Sequence, residues 1–306
     1  MTITIAPSRL STLEAVLEGL MRRYRERVPA VAAITGAMIA DGLIADGQTI
    51  ENDHIAFRTL GVRYLGMRSL EQIFLHYGYE RRDAYRFPAK KLDAFWYSPP
   101  REDLPRIFIS ELRVSDLAPA TQALIRSYTD EVTRDPVKAL DLNDAVQVDA
   151  FLHAGLWRLP SLADYQQLGA ESEYAAWVIY NRYYLNHFTI SVHNLPTGYD
   201  TIADFNAFLE RRGFTLNDAG GTIKRSPDGL LLQSSTIAEL IEVEFADRER
   251  QQIAGSYVEF AERQVLPSFA ELSKAELRRE HRREGFEASN ADKIFESTYS
   301  SQTGRQ

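Results

Sequence analysis

A histidine and an arginine lie four residues apart in the apolar stretch 53–59. Its alternating pattern predicts a β-strand with Ile55 and Phe57 on one face and His54 and Arg58 on the other, the latter pair ~13 Å apart. A neutral imidazole can bind a metal ion, and a guanidinium can hold a carboxylate through two hydrogen bonds. The two together predict a site that coordinates one end of a dicarboxylate and holds the other. The alternative is a buried, hydrogen-bonded histidine beside a surface arginine.

A second segment carries similar chemistry. His187 lies in a predicted strand over residues 184–192, and Glu259 lies in the middle of a later strand, where a carboxylate is costly to bury unpaired. Two neutral imidazoles and one carboxylate are the ligands that leave open positions on ferrous iron for substrate and dioxygen. We therefore expect a metal site. The alternative for Glu259 is a structural ion pair with an arginine such as Arg63 or Arg182.

The elements that would position these residues form two similar units, at residues 53–115 and 183–264. Each begins with the histidine-bearing strand and continues with an amphipathic helix and further strands. The first has a helix from Ser69 to Gly78 and strands at 84–87, 92–97 and 107–114; the second has a helix from Thr201 to Arg212 and strands at 214–216, 221–225, 230–237 and 256–263. This pattern predicts a diverged internal repeat.

The rest of the chain is predicted to be mainly helical. Residues 8–48 form N-terminal packing helices, and residues 116–180 form a helical insertion with Trp157 and Trp177 as core anchors. Residues 265–306 are predicted to be a charged helix over 270–284 followed by a polar tail. We expect one α+β domain over residues 1–306.

The composition limits the available chemistry. The chain has no cysteine, which excludes disulfides, thiolate metal sites and cysteine nucleophiles. The net charge of -8 argues against a nucleic-acid partner, and the arginines of residues 278–283, interrupted by glutamates, are interpreted as a solvated helix face. No apolar run reaches the ~18 residues of a membrane helix, and the N-terminus lacks a secretion-signal pattern. We expect no membrane partner and a cytoplasmic location.

Four motifs of this chain resemble those of the 2-oxoadipate dioxygenase/decarboxylase family. They are His54-x-x-x-Arg58, Asn186-His187, residues 232–236 and residues 256–263, and the resemblance extends from about residue 10 to residue 299. The family belongs to the vicinal oxygen chelate superfamily, whose paired βαβββ modules match the repeat. The resemblance implies an α+β fold in which two such half-barrels surround a metal site.

The same resemblance implies site residues and a reaction. It implies His54, His187 and Glu259 as ligands of Fe(II), and Arg58 as a catalytic residue that contacts a substrate carboxylate. The partners would be a 2-oxo acid and O2, and the reaction would convert 2-oxoadipate and O2 into 2-hydroxyglutarate and CO2. Two alternatives stay open: an oxygen-independent metal-dependent isomerase or lyase, and a non-catalytic small-molecule binding protein. The sequence leaves the oligomeric state open.

Three further residues are expected near the substrate. Gln233 is polar inside an otherwise apolar predicted strand; it orients the substrate or a metal-bound water, or it only bonds its neighbours. Ser234 beside it is a predicted substrate contact. The chain lacks a recognisable equivalent of the C-terminal Val-Ser segment that contacts substrate in bacterial family members. We expect residues 297–301, with Tyr299, to take its place.

The other titratable candidates have simpler interpretations. Glu111 is predicted to occupy in the first unit the position of Glu259 in the second, and it is a reserve ligand. His193 lies on the same predicted strand face as His187 but roughly 20 Å further on, so only one of them can bind the metal, and we favour His187. The remaining histidines are expected to be packing or surface residues: His76, His153 and His281.

Overall fold

The computed structural model describes residues 7–47 and 50–305. Two predictions fall partly outside these ranges. The expectation about a secretion signal depends mainly on residues 1–6, and the predicted N-terminal helical region ends at residue 48. The helices are α1 Pro7–Arg27, α2 Pro29–Ala40, α3 Met67–His76, α4 Pro119–Thr129, α5 Ala145–Leu152, α6 Leu162–Glu171, α7 Glu173–Asn181, α8 Ile202–Arg211, α9 Ala288–Ile294 and α10 Ser300–Thr303. The strands are β1 Asn52–Leu60, β2 Glu80–Phe87, β3 Leu92–Ser98, β4 Arg106–Leu112, β5 His187–Ser191, β6 Lys224–Arg225, β7 Leu231–Ser235, β8 Leu240–Glu244, β9 Arg250–Ala254 and β10 Tyr257–Arg263.

One eight-stranded sheet joins the two predicted units, in the order β2-β3-β4-β1-β5-β10-β7-β6. Within the first unit β1 runs parallel to β4, and within the second β5 runs parallel to β10. The two units meet through the antiparallel pair β1 and β5. This arrangement has an approximate twofold axis between the central strands. The predicted α+β fold with two diverged βαβββ modules is confirmed.

Strand register places the two histidines at equivalent positions. His54 lies beside Arg106, the first residue of β4, and His187 lies beside Tyr257, the first residue of β10. Across the central pair, His54 faces Thr189 while Ala56 faces His187. Because residues two apart on a strand point to the same side, both imidazoles lie on one face of the sheet.

Each face of the sheet has its own apolar layer. On one face Ile55 and Phe57 pack with helices α1, α2, α3 and α8. On the other face, which carries His54 and Arg58, Ala56 and Phe108 pack with α7 and the C-terminal segment. The predicted anchors Trp157 and Trp177 are buried in this second layer. Among the described helices, none is both long and apolar enough to cross a bilayer.

The strand predictions for the second module contain one error and one omission. The segment predicted as a strand at residues 214–216 is reduced to a single bridge between Leu216 and Thr236. The hairpin of β8 and β9 was not predicted at all. Half of its ten residues are charged or polar and only Ile253 is fully buried, so the hairpin adds little to the core, although Ile241-Glu242-Val243-Glu244 alternates as a strand does.

The C-terminal prediction was also wrong. Residues 270–284 do not form a helix; they contain a short 3-10 turn at Arg279–His281. The segment has only Leu272 and Leu277 as large apolar residues, too few for an apolar stripe that would bury a helix face. Its arginines bond carbonyl groups instead: Arg282 Nη1 donates to the Arg263 carbonyl at 2.7 Å. The predicted polar tail contains α9 and α10, and α9 with Phe295 packs over the sheet face that carries the histidines.

Candidate metal centre

The side chains of His54, His187 and Glu259 meet on one face of the sheet. All three are buried, and one potential ligand atom from each lies within 4.8 Å of the others. The distance from His187 Nε2 to Glu259 Oε2 is 3.1 Å, from His54 Nε2 to Glu259 Oε1 3.5 Å, and between the two Nε2 atoms 3.4 Å. Register explains the convergence, because Thr189 on β5 pairs with His54 on one side and with Glu259 on the other.

The residue that precedes each histidine orients its ring. His54 Nδ1 donates to Asp53 Oδ1 at 2.8 Å, and His187 Nδ1 donates to Asn186 Oδ1 at 3.1 Å. A hydrogen bond of this kind fixes the tautomer of a neutral imidazole and leaves Nε2 as a lone-pair donor. Both Nε2 atoms therefore face Glu259 ready to coordinate a cation.

Asp53 is held by two buried arginines. Arg263 donates to its oxygens at 2.6 and 2.9 Å, and Arg106 donates at 3.2 Å. Burial disfavours the ionised form of Asp53, but the positive charges of Arg263 and Arg106 outweigh this effect and hold the pKa of Asp53 well below its ordinary value. Arg106 also pairs with Glu284, whose pKa falls to about 2 because this pairing outweighs burial. His54 is thus backed by a charged network that fixes its position.

The electrostatics of the three side chains suit a positive ion between them. Burial opposes the charge on Glu259, but the two histidines and the hydrogen bond from Gln233 lower its pKa. Burial lowers the pKa of His187 to about 3, so this ring is neutral. Burial also disfavours charge on His54, yet Glu259 and Asp53 outweigh it and raise its pKa. An ionised carboxylate faces one neutral imidazole and one imidazole whose environment favours positive charge.

A cavity of about 360 Å³ opens beside this cluster. Its polar lining comes from the strands: His54, Arg58, Ser110, Asn186, His187, Gln233, Tyr257 and Glu259. Its apolar lining comes largely from the C-terminal segment and from Phe108: Phe286, Ala291, Ile294 and Phe295. The C-terminal residues therefore cover the site and limit its contact with water.

Arg58 lines the cavity as predicted from its place on β1. Nη1 donates to Thr298 Oγ1 at 2.8 Å, and Nη2 donates to the Phe295 carbonyl at 3.1 Å. Nε is buried and has no hydrogen-bond partner among the described residues. The guanidinium carbon lies 5.0 Å from the Tyr174 ring centroid and 5.1 Å from that of Trp177. No carboxylate of the described residues 7–47 and 50–305 pairs with it. A buried cation without an acidic partner is suited to an anionic ligand.

Two further cavity residues were not assigned a role from the sequence. The Tyr257 hydroxyl and the Asn186 Nδ2 are buried and have no hydrogen-bond partner within the described residues. Burial, opposed by the charge of Arg58, raises the pKa of Tyr257 well above its ordinary value, so its hydroxyl stays protonated. Strand alternation does place Tyr257 on the face of Glu259, but only the coordinates show that these donors lack partners.

Gln233 contacts a predicted ligand directly. Its Nε2 donates to Glu259 Oε1 at 2.6 Å, and its Oε1 accepts from Asn290 Nδ2 at 3.0 Å. Both polar ends of the amide are therefore occupied by protein groups. Gln233 holds the Glu259 carboxylate in place and links it to helix α9.

The structure does not bring Ser234 or Tyr299 to the cavity lining. Ser234 pairs with Phe260 on the opposite face of the sheet, where its hydroxyl donates to Asn206 Oδ1 at 2.6 Å. Its prediction as a substrate contact was wrong because successive residues of a strand point to opposite faces. Tyr299 lies just beyond the turn whose Thr298 bonds Arg58, and it is not among the lining residues.

The reserve candidates also lie elsewhere. Glu111 is on the opposite face and accepts the Met67 N–H at 2.6 Å. His193 lies in a turn after β5, with its Nδ1 3.2 Å from the Arg263 N–H. The other three histidines contact residues outside the cluster: His76 with Asn143, His153 with the Asp149 carbonyl, and His281 with the Arg278 N–H.

Neither arginine proposed as a structural partner of Glu259 reaches it. Arg182 donates to the Trp157 carbonyl at 2.6 Å, and the Arg63 guanidinium lies 4.5 Å from the Tyr64 ring centroid. The alternative of a structural ion pair for Glu259 is therefore wrong, because its polar contacts are with His54, His187 and Gln233.

The paired modules define a protein with the vicinal oxygen chelate fold, and the buried histidines and carboxylate form a site suited to a metal ion. A structure described as a putative glyoxalase superfamily protein from Ralstonia eutropha JMP134 superposes with a TM-score of 0.70 at 21% identity, over 92% of this chain and 87% of that one. This likeness concerns the fold alone. The model of the 2-oxoadipate dioxygenase/decarboxylase family matches residues 16–272, so the chain belongs to that family.

Two plant proteins are similar to this chain. The chloroplastic 2-oxoadipate dioxygenase/decarboxylase of Arabidopsis thaliana is 46% identical over 249 residues, which cover 78% of this chain and 65% of that protein. The match thus spans less than two thirds of the length of the Arabidopsis protein. The crystal structure of hydroxyglutarate synthase from Oryza sativa in complex with 2-oxoadipate has a TM-score of 0.90 and 42% identity, over 99% of this chain and 97% of that one. The family resemblance seen in the motifs is confirmed.

Proposed function

We propose that this chain is a non-haem Fe(II)-dependent dioxygenase and decarboxylase of 2-oxo dicarboxylic acids, with 2-oxoadipate as substrate. The proposed reaction converts 2-oxoadipate and O2 into 2-hydroxyglutarate and CO2, which balances because the six-carbon acid loses one carbon as CO2 and both oxygen atoms are retained in the products. The observation that carries the proposal is the juxtaposition of His54, His187 and Glu259 with the unpartnered donors of Arg58 and Tyr257 in one cavity. Family membership and the rice protein described in complex with 2-oxoadipate support it.

The donor set fits a ferrous ion. Two imidazole nitrogens and one carboxylate, with no thiolate, are the ligands of non-haem iron oxygenases. In our proposal His54, His187 and Glu259 hold the ion, and when bound it would supply the redox chemistry with dioxygen. Asp53, Asn186 and Gln233 hold the three ligands in the orientation that coordination requires.

Arg58 is proposed to bind a carboxylate of the substrate. Its two Nη atoms are engaged by Thr298 and Phe295, which fixes the guanidinium plane, and its buried Nε has no hydrogen-bond partner among the described residues. The charge needs an anionic partner in this buried setting. A dicarboxylate satisfies both Arg58 and the cation site at the other end of the cavity.

Tyr257 and Asn186 are proposed to bind further oxygens of the substrate. The protonated Tyr257 hydroxyl and the Asn186 amide are buried donors, and a buried donor left without an acceptor costs about 1–3 kcal/mol. Oxygens of a 2-oxo acid would satisfy them. Neither group needs to gain or lose a proton in this role. The apolar side chains of Phe286, Ile294 and Phe295 exclude water around the bound acid.

Oxygen consumption and product formation test the proposal. The protein is loaded with Fe(II) and 2-oxoadipate without oxygen and then mixed with oxygenated buffer. We expect O2 uptake and CO2 release in equal amounts, with 2-hydroxyglutarate identified by chiral chromatography and mass spectrometry. Iron-loaded protein that turns over no 2-oxo acid would contradict the dioxygenase assignment.

The same experiment separates the two alternatives. Turnover under argon with Zn or Mn would indicate an isomerase or lyase. Thermal stabilisation by a 2-oxo acid without turnover and without dependence on metal would indicate a binding protein. The Arabidopsis relative is named as a chloroplast protein, so a cytoplasmic location stays a prediction for this chain. We also propose that residues 1–306 act as one domain, because both modules share one sheet.

A further inference from the structure

A second pocket lies on the far side of the Asp53 network from the metal cavity. We call it the basic groove; it has a volume of about 970 Å³ and shares no lining residue with the metal cavity. Its lining includes six basic side chains and one histidine: Arg106, Arg263, Lys274, Arg278, Arg279, Arg282 and His193. This concentration of positive charge stands out in a chain whose net charge is -8.

Arg278, Arg279 and Arg282 have no carboxylate of the described residues closer than 3.6 Å, although Glu276 and Glu51 act on Arg278 and Arg282 from further away. Arg278 and Arg282 bond only carbonyl groups, and no carboxylate of the described residues lies within ion-pair distance of either. Arg279 donates to two carbonyls and lies 3.6 Å from Glu284, which already pairs with Arg106. Its Nη2 is buried without a partner. Burial and the charge of Arg106 lower the pKa of Arg279 to about 10, as expected where cations are crowded.

His193 adds a donor aimed at the same space. Its side chain is 8% exposed and lines the groove. Nδ1 accepts the Arg263 N–H at 3.2 Å, a shorter contact than the 3.4 Å to the Ala261 carbonyl, so the proton of the neutral ring lies on Nε2. No hydrogen bond from Nε2 to a described residue is present. Nε2 is therefore open to the groove and available to donate a hydrogen bond to a bound anion.

Three carboxylates also line the groove, those of Glu51, Glu102 and Asp103, and two of them are engaged by other groups. Glu51 accepts hydrogen bonds from Ser191 at 3.1 Å and from Asn194 at 2.6 Å. Asp103 pairs with Arg101 outside the groove. Glu51 and Asp103 still act on Arg282 and Arg279 from a distance, but the lining holds six basic side chains against three carboxylates, so the positive charge is offset only in part.

We propose that the basic groove binds a small oxyanion with at least two negative charges, presented by a phosphate group or by a polycarboxylate. Guanidinium groups bind both through parallel, charge-assisted hydrogen bonds, and the Nε2–H of His193 supplies a further donor. The groove is a second binding site, separated from the metal cavity by Asp53 and its two arginines. It does not depend on the proposed dioxygenase function.

Calorimetric titration of the full chain tests this site. Inorganic phosphate and citrate are titrated separately in a phosphate-free buffer of low ionic strength. We expect one saturable site for at least one of them, and the tighter ligand identifies the source of the oxyanion. Arg282→Gln and Arg278→Gln should each weaken binding ~10-fold, the loss expected for one charge-assisted hydrogen bond.

The control variants keep the test specific. Arg126→Gln removes an exposed arginine of α4 that bonds only Gln122 in the described structure, and it should bind like the parent chain. Arg58→Ala should also leave the affinity unchanged, because Arg58 lines the metal cavity. Arg278 is exposed and bonds only carbonyls of its own loop, so this variant stays informative even if Arg282→Gln fails to fold. Absence of saturable binding, unchanged affinity in Arg278→Gln, or loss of binding in Arg58→Ala would overturn the proposal.

Discussion

The two βαβββ modules share a backbone plan but contribute different side chains to the centre. Equivalent register positions carry His54 and His187, so each module supplies one imidazole. The next cavity-facing position of the last strand is Phe108 in the first module and Glu259 in the second. The position of Arg58 is taken by Ser191 in the second module. The first module therefore provides the guanidinium of Arg58, and the second provides the carboxylate of Glu259.

The comparison also shows what Glu111 does. It lies at the same strand position as Glu262, not Glu259. Glu111 accepts the Met67 N–H of α3 at 2.6 Å, and Glu262 accepts the Ile202 N–H of α8 at 2.6 Å. Both carboxylates bind the positive end of the helix dipole of their own module. The repeat thus preserves a structural contact on one face, while the other face has diverged into the proposed metal and substrate site.

Loss of a predicted ligand should have the largest effect. His54→Ala, His187→Ala and Glu259→Ala should each reduce metal affinity by more than the ~10–100-fold that removal of an outer-shell partner costs. The equivalence of the two histidines predicts losses of similar size. Metal content after equilibration with Fe(II) under argon measures this. His76→Gln, on α3, is the matched control. A ligand variant that binds as much metal as this control would contradict the ligand role of that residue.

Replacement of Arg58 should separate the two ends of the site. Arg58→Ala should weaken binding of 2-oxoadipate by about 2–5 kcal/mol, because a buried charge-assisted contact is removed. Its metal content should be unchanged. Arg58→Lys should recover part of the loss, since the charge is kept and the planar fork is not. Titration of the acid into iron-loaded protein under argon gives the affinities, and Ser191→Ala serves as the counterpart in the other module. An effect on metal without an effect on the acid would reverse the assigned roles.

Replacement of Asp53 should lower metal affinity more than replacement of Asn186, the other residue that precedes a histidine. Asp53→Asn should lower metal affinity ~10–100-fold, and Asn186→Ala should have a smaller effect because it removes a neutral acceptor. Equal losses would show that the charge behind His54 is unimportant. Metal affinities from competition with a chelating dye provide the comparison.

The pH dependence of stability tests the Asp53 network separately. The folded pKa of Asp53 is depressed below its ordinary 3.8, so the unfolded chain binds this proton more readily. Its contribution to stability is therefore fully present above about pH 4 and is lost as pH falls through the folded pKa. Urea unfolding of metal-free protein should show a stability difference between parent and Asp53→Asn that shrinks as pH falls from about 5 toward 3, a range that lies below the titration of His54, whose pKa Asp53 also raises. A difference that grows at low pH would contradict this sign.

The smallest effect is expected at the conserved structural contact of the two modules. Glu111→Gln and Glu262→Gln should each destabilise the fold by about 0.3–1 kcal/mol, because a charge is lost at a helix N-terminus. Neither variant should change metal content. Unfolding in urea measures the cost, and metal loss in Glu111→Gln alone would restore Glu111 as a ligand candidate.

The local pattern of the sequence predicted much of this protein. Alternation with a period of two residues placed His54 with Arg58 and Glu259 with Tyr257, and the repeated strand–helix–strand order predicted the paired modules. The same rule, applied to residues 231–235, places Ser234 on the face opposite Gln233, so that error was avoidable. The charged segment 270–284 was taken for a helix because its composition favours one, although it has no apolar stripe to bury.

Residue types and strand faces were determined by the sequence alone, because they depend on backbone geometry between near neighbours. The register that makes Glu262, and not Glu259, the counterpart of Glu111 depends on pairing between strands distant along the chain, so only the tertiary structure decided it. The same holds for the unpartnered donors of Tyr257, Asn186 and Arg58, since a missing partner is defined by everything packed around a group. The covering of the cavity by Phe286 and Phe295 likewise required the folded chain, because burial is a property of the whole structure.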